Sequence, residues 1–190
     1  MESRLQHADV CELTPQLWTG AELHPTDPAT ARLQLDELVA SGVDAIIDCR
    51  YERDDASWVT EAIPHMDYLY IGVEDAGRRM QHEWFDAGTD YAIDQMNDGH
   101  VVWAHCQAGI NRGPSMAFAI MLAMGWDALQ ALDHIRAARS IARIRYAEDA
   151  VDWWYSKVEA PKDERKRQVD RVRQWRRDNG LPRRSDIEGS

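Results

Sequence analysis

The chain has 190 residues, with 33 Asp and Glu against 22 Lys and Arg, a formal net charge of −11, and three cysteines. So acidic a surface excludes a general binder of nucleic acid or anionic membrane, and an odd, small number of cysteines makes no disulfide framework and points to a reducing compartment, the cytoplasm. The longest apolar run, Met116 to Met124, is far short of the roughly 20 residues a bilayer demands, and Met1 to Val10 carries Glu2, Arg4, His7 and Asp9 with no apolar stretch, so no secretory leader is expected.

In chain order, Leu17 to Gly20 reads as a first strand. Asp27-Pro28, then Ala31, Leu33, Leu35, Leu38 and Val39, then Ser41-Gly42, predict a helix with an N-cap, a proline in its first turn and a glycine stop. Val43 to Cys49 and Met66 to Val73 are the next strands, residues 82 to 98 a helix ended by Gly99, and Val101 to Cys106 a fourth strand running into a helix over Gly113 to Ala123. Gly125-Trp126-Asp127 breaks the chain, and Asp127 with Gln130 resembles a capping box opening a helix over Ala128 to Arg139. A last core helix covers Ala147 to Val158. Strands alternating with helices make an α/β domain over residues 1–160, leaving 161–190 as a charged helix and a frayed tail from Gly180. That tail has ten Lys and Arg against six Asp and Glu, so residues 1–160 hold 12 basic against 27 acidic residues. Val169, Val172 and Trp175 fall at helical spacing, the pattern of a helix packed on the acidic body. The eight tryptophans are scattered and read as core.

The chemistry concentrates in His105-Cys106-Gln107-Ala108-Gly109-Ile110-Asn111-Arg112, a short loop between a buried strand and a helix. Successive backbone N–H groups of such a loop form a nest, and the following helix adds the positive end of its dipole, so phosphate is the expected guest. Arg112 would grip two phosphate oxygens with its planar fork. Cys106 would stand beneath the phosphorus, its thiolate favoured by the same field, and the expected reaction is displacement at phosphorus through a cysteinyl-phosphate.

His105-Cys106 with Gly109 and Arg112 resembles the H-C-x-x-G-x-x-R signature of cysteine-based protein tyrosine phosphatases, in particular the dual-specificity branch. The resemblance extends over about residues 12–156. It implies a single domain with a central, mostly parallel sheet of four to five strands and helices on both faces. Cys106 is then the nucleophile and Arg112 the clamp. Residues 107–111 supply backbone donors, and His105 supports the loop from behind. A leaving oxygen must be protonated, and the strand-to-loop stretch ending Glu74-Asp75 resembles the family's general-acid segment, with Asp75 the candidate and Glu74 the competitor. Gly113 departs from the pattern, since a Ser or Thr commonly follows the arginine and helps the thiolate leave. Ser115 does not inherit that role. Cys49, ending a strand at the same sheet edge, resembles the redox partner found in the lipid-directed branch; a buried thiol with no such role fits equally.

The substrate implied is a phosphorylated protein, phosphotyrosine first with phosphoserine or phosphothreonine beside it, or a small phosphate ester, with no cofactor and no metal. Non-protein esters (phosphoinositide, nucleotide, phosphoglycan) remain open, although Gln107 and Asn111 stand where a phosphoinositide enzyme would carry lysines. A weak phosphate-binding module and a sulfur transferase also stay open. Arg78 with Arg79, and Arg143 with Arg145, are further candidates to ring the phosphate, or else solvated surface.

Overall fold

The computed structural model describes residues 5–181. Five strands form one sheet: β1 (Val10–Thr14), β2 (Leu17–Gly20), β3 (Val43–Arg50), β4 (Asp67–Val73) and β5 (Val101–His105), in the spatial order β1-β2-β5-β3-β4. Only β1 runs antiparallel to its neighbour; β2, β5, β3 and β4 are mutually parallel. Seven helices complete the described residues: α1 (Pro28–Ala40), α2 (Ala56–Ala62), α3 (His82–Asn97), α4 (Arg112–Ala123), α5 (Ala128–Ala138), α6 (Ala147–Lys157) and α7 (Lys162–Asp178). Asp27 and Asp127 cap α1 and α5 as expected, accepting from the N–H of Ala29 and of Leu129 and Gln130.

The two-residue period of a strand sorts the sheet's side chains onto two faces. Ala45, Ile47, Val102 and Ala104 enter a large core with α3 to α7, while Ile46 and Trp103 enter a smaller one with α1 and α2. Helix α4 lies inside the large core with eleven of its twelve residues buried, and accordingly it is apolar all round beyond its first turn. Helix α7 joins that core through Val169, Val172 and Trp175. Two elements, β1 and α2, were not expected from the sequence. Gly180, at φ +66°, and Leu181 donate back to the carbonyls of Arg177 and Arg176, so these two close α7 rather than fray. The rest of the expected tail, 182–190, lies outside the described residues. No helix among the described residues is long and apolar enough to cross a membrane.

Candidate active site

Strand β5 lies between β2 and β3, and His105 is level with Gly20 and Asp48. The loop therefore leaves the carboxyl edge of the parallel sheet at its middle, where α/β folds place their ligands. Its conformation follows from where its carbonyls go. The Gln107 carbonyl accepts from the Glu22 N–H at 3.1 Å, Ile110 from the Arg143 N–H at 2.7 Å and Asn111 from the Ser115 N–H at 2.8 Å. The Ala108 and Gly109 carbonyls accept from Arg139 Nη2 at 3.0 Å and Nε at 2.6 Å. A trans peptide points its N–H opposite its carbonyl, so five carbonyls turned outward aim the N–H groups of residues 108–112 into one concavity. Gly109, at φ +59°, belongs to this design, since a Cβ there would lie 2.4 Å from the Gly20 backbone.

Arg139, which carries no signal in the sequence, is itself fixed: it is 6% exposed and forks onto both oxygens of Asp9 at 2.8 and 2.9 Å. One guanidinium thus ties the loop to the entry of β1.

The concavity encloses about 280 Å³ and is lined by Cys106, Arg112 and Asp75, with Arg143 and Arg145 at its side. Cys106 and Arg112 are each 3% exposed. Arg112 Nη1 and Nη2 donate to the two carboxylate oxygens of Glu52, both at 2.9 Å, and Nη1 also donates to the Val73 carbonyl at 3.0 Å. Its buried Nε has no hydrogen-bond partner among the described residues. Glu52 thereby holds the fork by its outer edge. Burial alone would lower the Arg112 pKa, but the Glu52 hydrogen bonds together with the charges of Glu52, Cys106 and Asp75 raise it overall and the cation is retained. Nothing in the local spacing marks Glu52. Its loop is set by Arg50, fully buried and ion-paired with Glu22, Asp48 and Asp55 at 2.6 to 2.7 Å.

Of the two candidate acids, Asp75 lines the concavity and Glu74 does not. Asp75 Oδ1 accepts from Asn111 Nδ2 at 2.5 Å and from the Tyr146 hydroxyl at 2.9 Å. Arg143 and Arg145 reach the site; Arg79 instead pairs with Asp152, and neither it nor Arg78 lines the concavity. Ser115 is fully buried, with its Oγ accepting from the Tyr146 N–H at 3.4 Å. The reason for Gly113 is steric: a Cβ there would sit 2.9 Å from the His105 backbone, so no side chain fits without moving the strand end. Cys49 follows Asp48 on β3 as Cys106 follows His105, the partner of Asp48, on β5; both thiols are free, and burial pushes the Cys49 thiol well up, with the Cys106 charge adding to it. Among the described residues no cluster of three or more His, Cys, Asp or Glu is placed to hold a metal ion.

A mostly parallel α/β sheet carrying a Cys-to-Arg loop at its carboxyl edge is the arrangement of the cysteine-based phosphatase class. The model of the dual specificity phosphatase catalytic domain matches residues 29–147, and the chain belongs to that family. It is 29% identical over 131 residues to dual specificity protein phosphatase 1-A of Xenopus laevis, covering 68% of this chain and 32% of that protein, so it spans about a third of the length of this relative. It is 26% identical over 80 residues to the tyrosine-protein phosphatase yvh1 of Schizosaccharomyces pombe, 42% of this chain and 24% of that protein. Among solved structures, DUSP15 superposes with a TM-score of 0.65 at 19% identity, covering 86% of this chain and 97% of that one, a likeness of fold.

Proposed function

We propose that this chain hydrolyses phosphate monoesters, phosphotyrosine in proteins first, with phosphoserine and phosphothreonine as further substrates. The five outward carbonyls carry the reading, because they aim a ring of N–H donors at one point between Cys106 and Arg112. The three equatorial oxygens of a transferring phosphoryl group take up those donors and the free edge of Arg112, where preorganised dipoles stabilise developing charge without reorganising. The Cys106 sulfur attacks phosphorus, the S–P bond forms as the ester P–O bond breaks, and a proton from Asp75 goes to the departing oxygen. Water then attacks phosphorus, gives its proton to Asp75, and releases phosphate and the thiolate. His105 supports the loop from behind, and Cys49 is a candidate redox partner for Cys106, with a buried thiol of no such role the alternative. We read residues 1–160 as the catalytic unit, 161–190 as its charged appendage, and the compartment as cytoplasmic, which the three free cysteines support.

One observation favours a second reading. No ion pair is recorded for Arg143 or Arg145 among the described residues, and the Arg145 Nε is buried without a partner, in a chain with 33 acidic residues. Guanidinium groups so placed suit a substrate with a second negative charge, such as a nucleotide or a phosphoinositide.

Hydrolysis of p-nitrophenyl phosphate, with EDTA present, tests the class. Activity in the wild type that disappears in Cys106→Ser supports it; an inert wild type, or an active Cys106→Ser, rejects it. Rates on a phosphotyrosine peptide against a nucleotide monophosphate and a soluble inositol phosphate then choose between the two readings.

A further inference from the structure

Asp75 sits on the loop after β4, among exposed neighbours, yet one of its oxygens is committed twice. The Asn111 amide is oriented without ambiguity: its Oδ1 accepts from the Arg145 N–H at 2.6 Å, so Nδ2 is the atom left to donate to Asp75. The Tyr146 phenol is equally fixed, being 1% exposed, edge-on to Trp84 at 6.4 Å between ring centroids and tied through its own N–H to Ser115 Oγ. Both donors end on Asp75 Oδ1. Among the described residues no hydrogen bond reaches Oδ2.

We infer that Asn111 and Tyr146 are positioning residues for the general acid, and that Asp75 Oδ2 is the oxygen that carries the transferred proton. The inference rests on the phosphatase reading and on Asp75 as its acid. An oxygen that accepts two donors is the carbonyl-like oxygen of a carboxylic acid, so the acid's proton lies on the other one. When that proton passes to the leaving oxygen, the carboxylate left behind gains two charge-assisted hydrogen bonds. The help is therefore larger after proton transfer than before it, which is the condition for accelerating the step. Holding Asp75 at the rim before substrate arrives also removes the need for its loop to close first.

Two aryl phosphates separate positioning from mere structure. Phenyl phosphate has a poor leaving group and depends on the acid, whereas p-nitrophenyl phosphate has a good one and depends on it little. Tyr146→Phe keeps the buried ring and removes only the donor. It is expected to lower kcat/KM about tenfold on phenyl phosphate, the worth of one hydrogen bond to a charged group, and about twofold or less on p-nitrophenyl phosphate. In an Asp75→Asn background the same change is expected to do nothing more. Asn111→Ala is read by the ratio of the two esters, which cancels any weakening of phosphate binding common to both. Equal falls on both esters, or a fall that persists without Asp75, overturn the inference while leaving the phosphatase reading intact. A wild type inert to both esters overturns the phosphatase reading itself, and this one with it.

Discussion

Stacked on Trp103 at 4.1 Å and 2% exposed, the His105 imidazole is held neutral: burial pushes its pKa down to about 4 from the usual 6.5, overcoming the pull of Asp48, whose oxygen is 3.7 Å away. Between pH 6.5 and about 4 the unfolded chain therefore binds a proton that the folded chain refuses, and stability falls as pH falls through that window, by up to about 3 kcal/mol at its lower end. Above pH 6.5 the imidazole is neutral in both states and contributes nothing to the slope. Urea unfolding at pH 7 and pH 4.5 should show His105→Gln losing about 2 kcal/mol less than wild type over that interval; parallel losses would mean that the imidazole takes up its proton while folded. At this scale the sequence was legible where chemistry is local. Cys106, Gly109 and Arg112 announce themselves by spacing. Glu52, Arg139 and Tyr146 come from distant parts of the chain, and an arginine beside small residues or a tyrosine at a helix start carries no local mark of the group it will meet in space.

Strands β2 to β5 were readable as apolar runs because helices cover both faces of the sheet, so they need no polar face. Strand β1 was not: it is short, and Glu12 and Thr14, both partly exposed, interrupt its apolar residues. Helix α2 has seven residues and buries only Val59, too little for a periodic signal. Elements that are plain in the sequence acquire their function at their ends. Arg139 is the residue after α5, and from there it reaches two loop carbonyls and both oxygens of Asp9. A lysine presents one charged nitrogen in place of that planar fork. Arg139→Lys should therefore weaken inhibition by inorganic phosphate about tenfold, the equivalent of roughly one lost charged hydrogen bond. An unchanged inhibition constant would show that the loop keeps its shape without the fork.

Across the whole molecule the basic α7 lies on an acidic body, and Arg165, Arg171 and Arg173 pair with Asp152, Asp127 and Glu148. These pairs are a third to a half exposed on the arginine side, and such pairs contribute about 0–1 kcal/mol each and fade with salt. Trp175 is different: 7% exposed, packed in the large core, with its Nε1 donating to Asp133 at 2.6 Å. Trp175→Ala should cost about 3–5 kcal/mol, visible as a Tm lower by roughly 6–20 °C for a chain of this size. One molar NaCl should move Tm far less. The reverse ranking would mean that charge, not apolar burial, docks the helix. Next to Trp175, the buried Arg176 donates to the carbonyls of Arg143 and Ile144 at 3.1 and 2.9 Å, so α7 reaches the same segment whose Arg143 N–H holds the Ile110 carbonyl. The segment that helps shape the loop is thus also one on which α7 closes the fold, and on the proposed reading anion occupancy and folding become linked equilibria. On the proposed phosphate-binding reading, an anion at a hundred times its dissociation constant would raise the unfolding free energy by about 2.7 kcal/mol through mass action alone, and the phosphate content of the surrounding solution would then be one of the variables that set how stable this protein is.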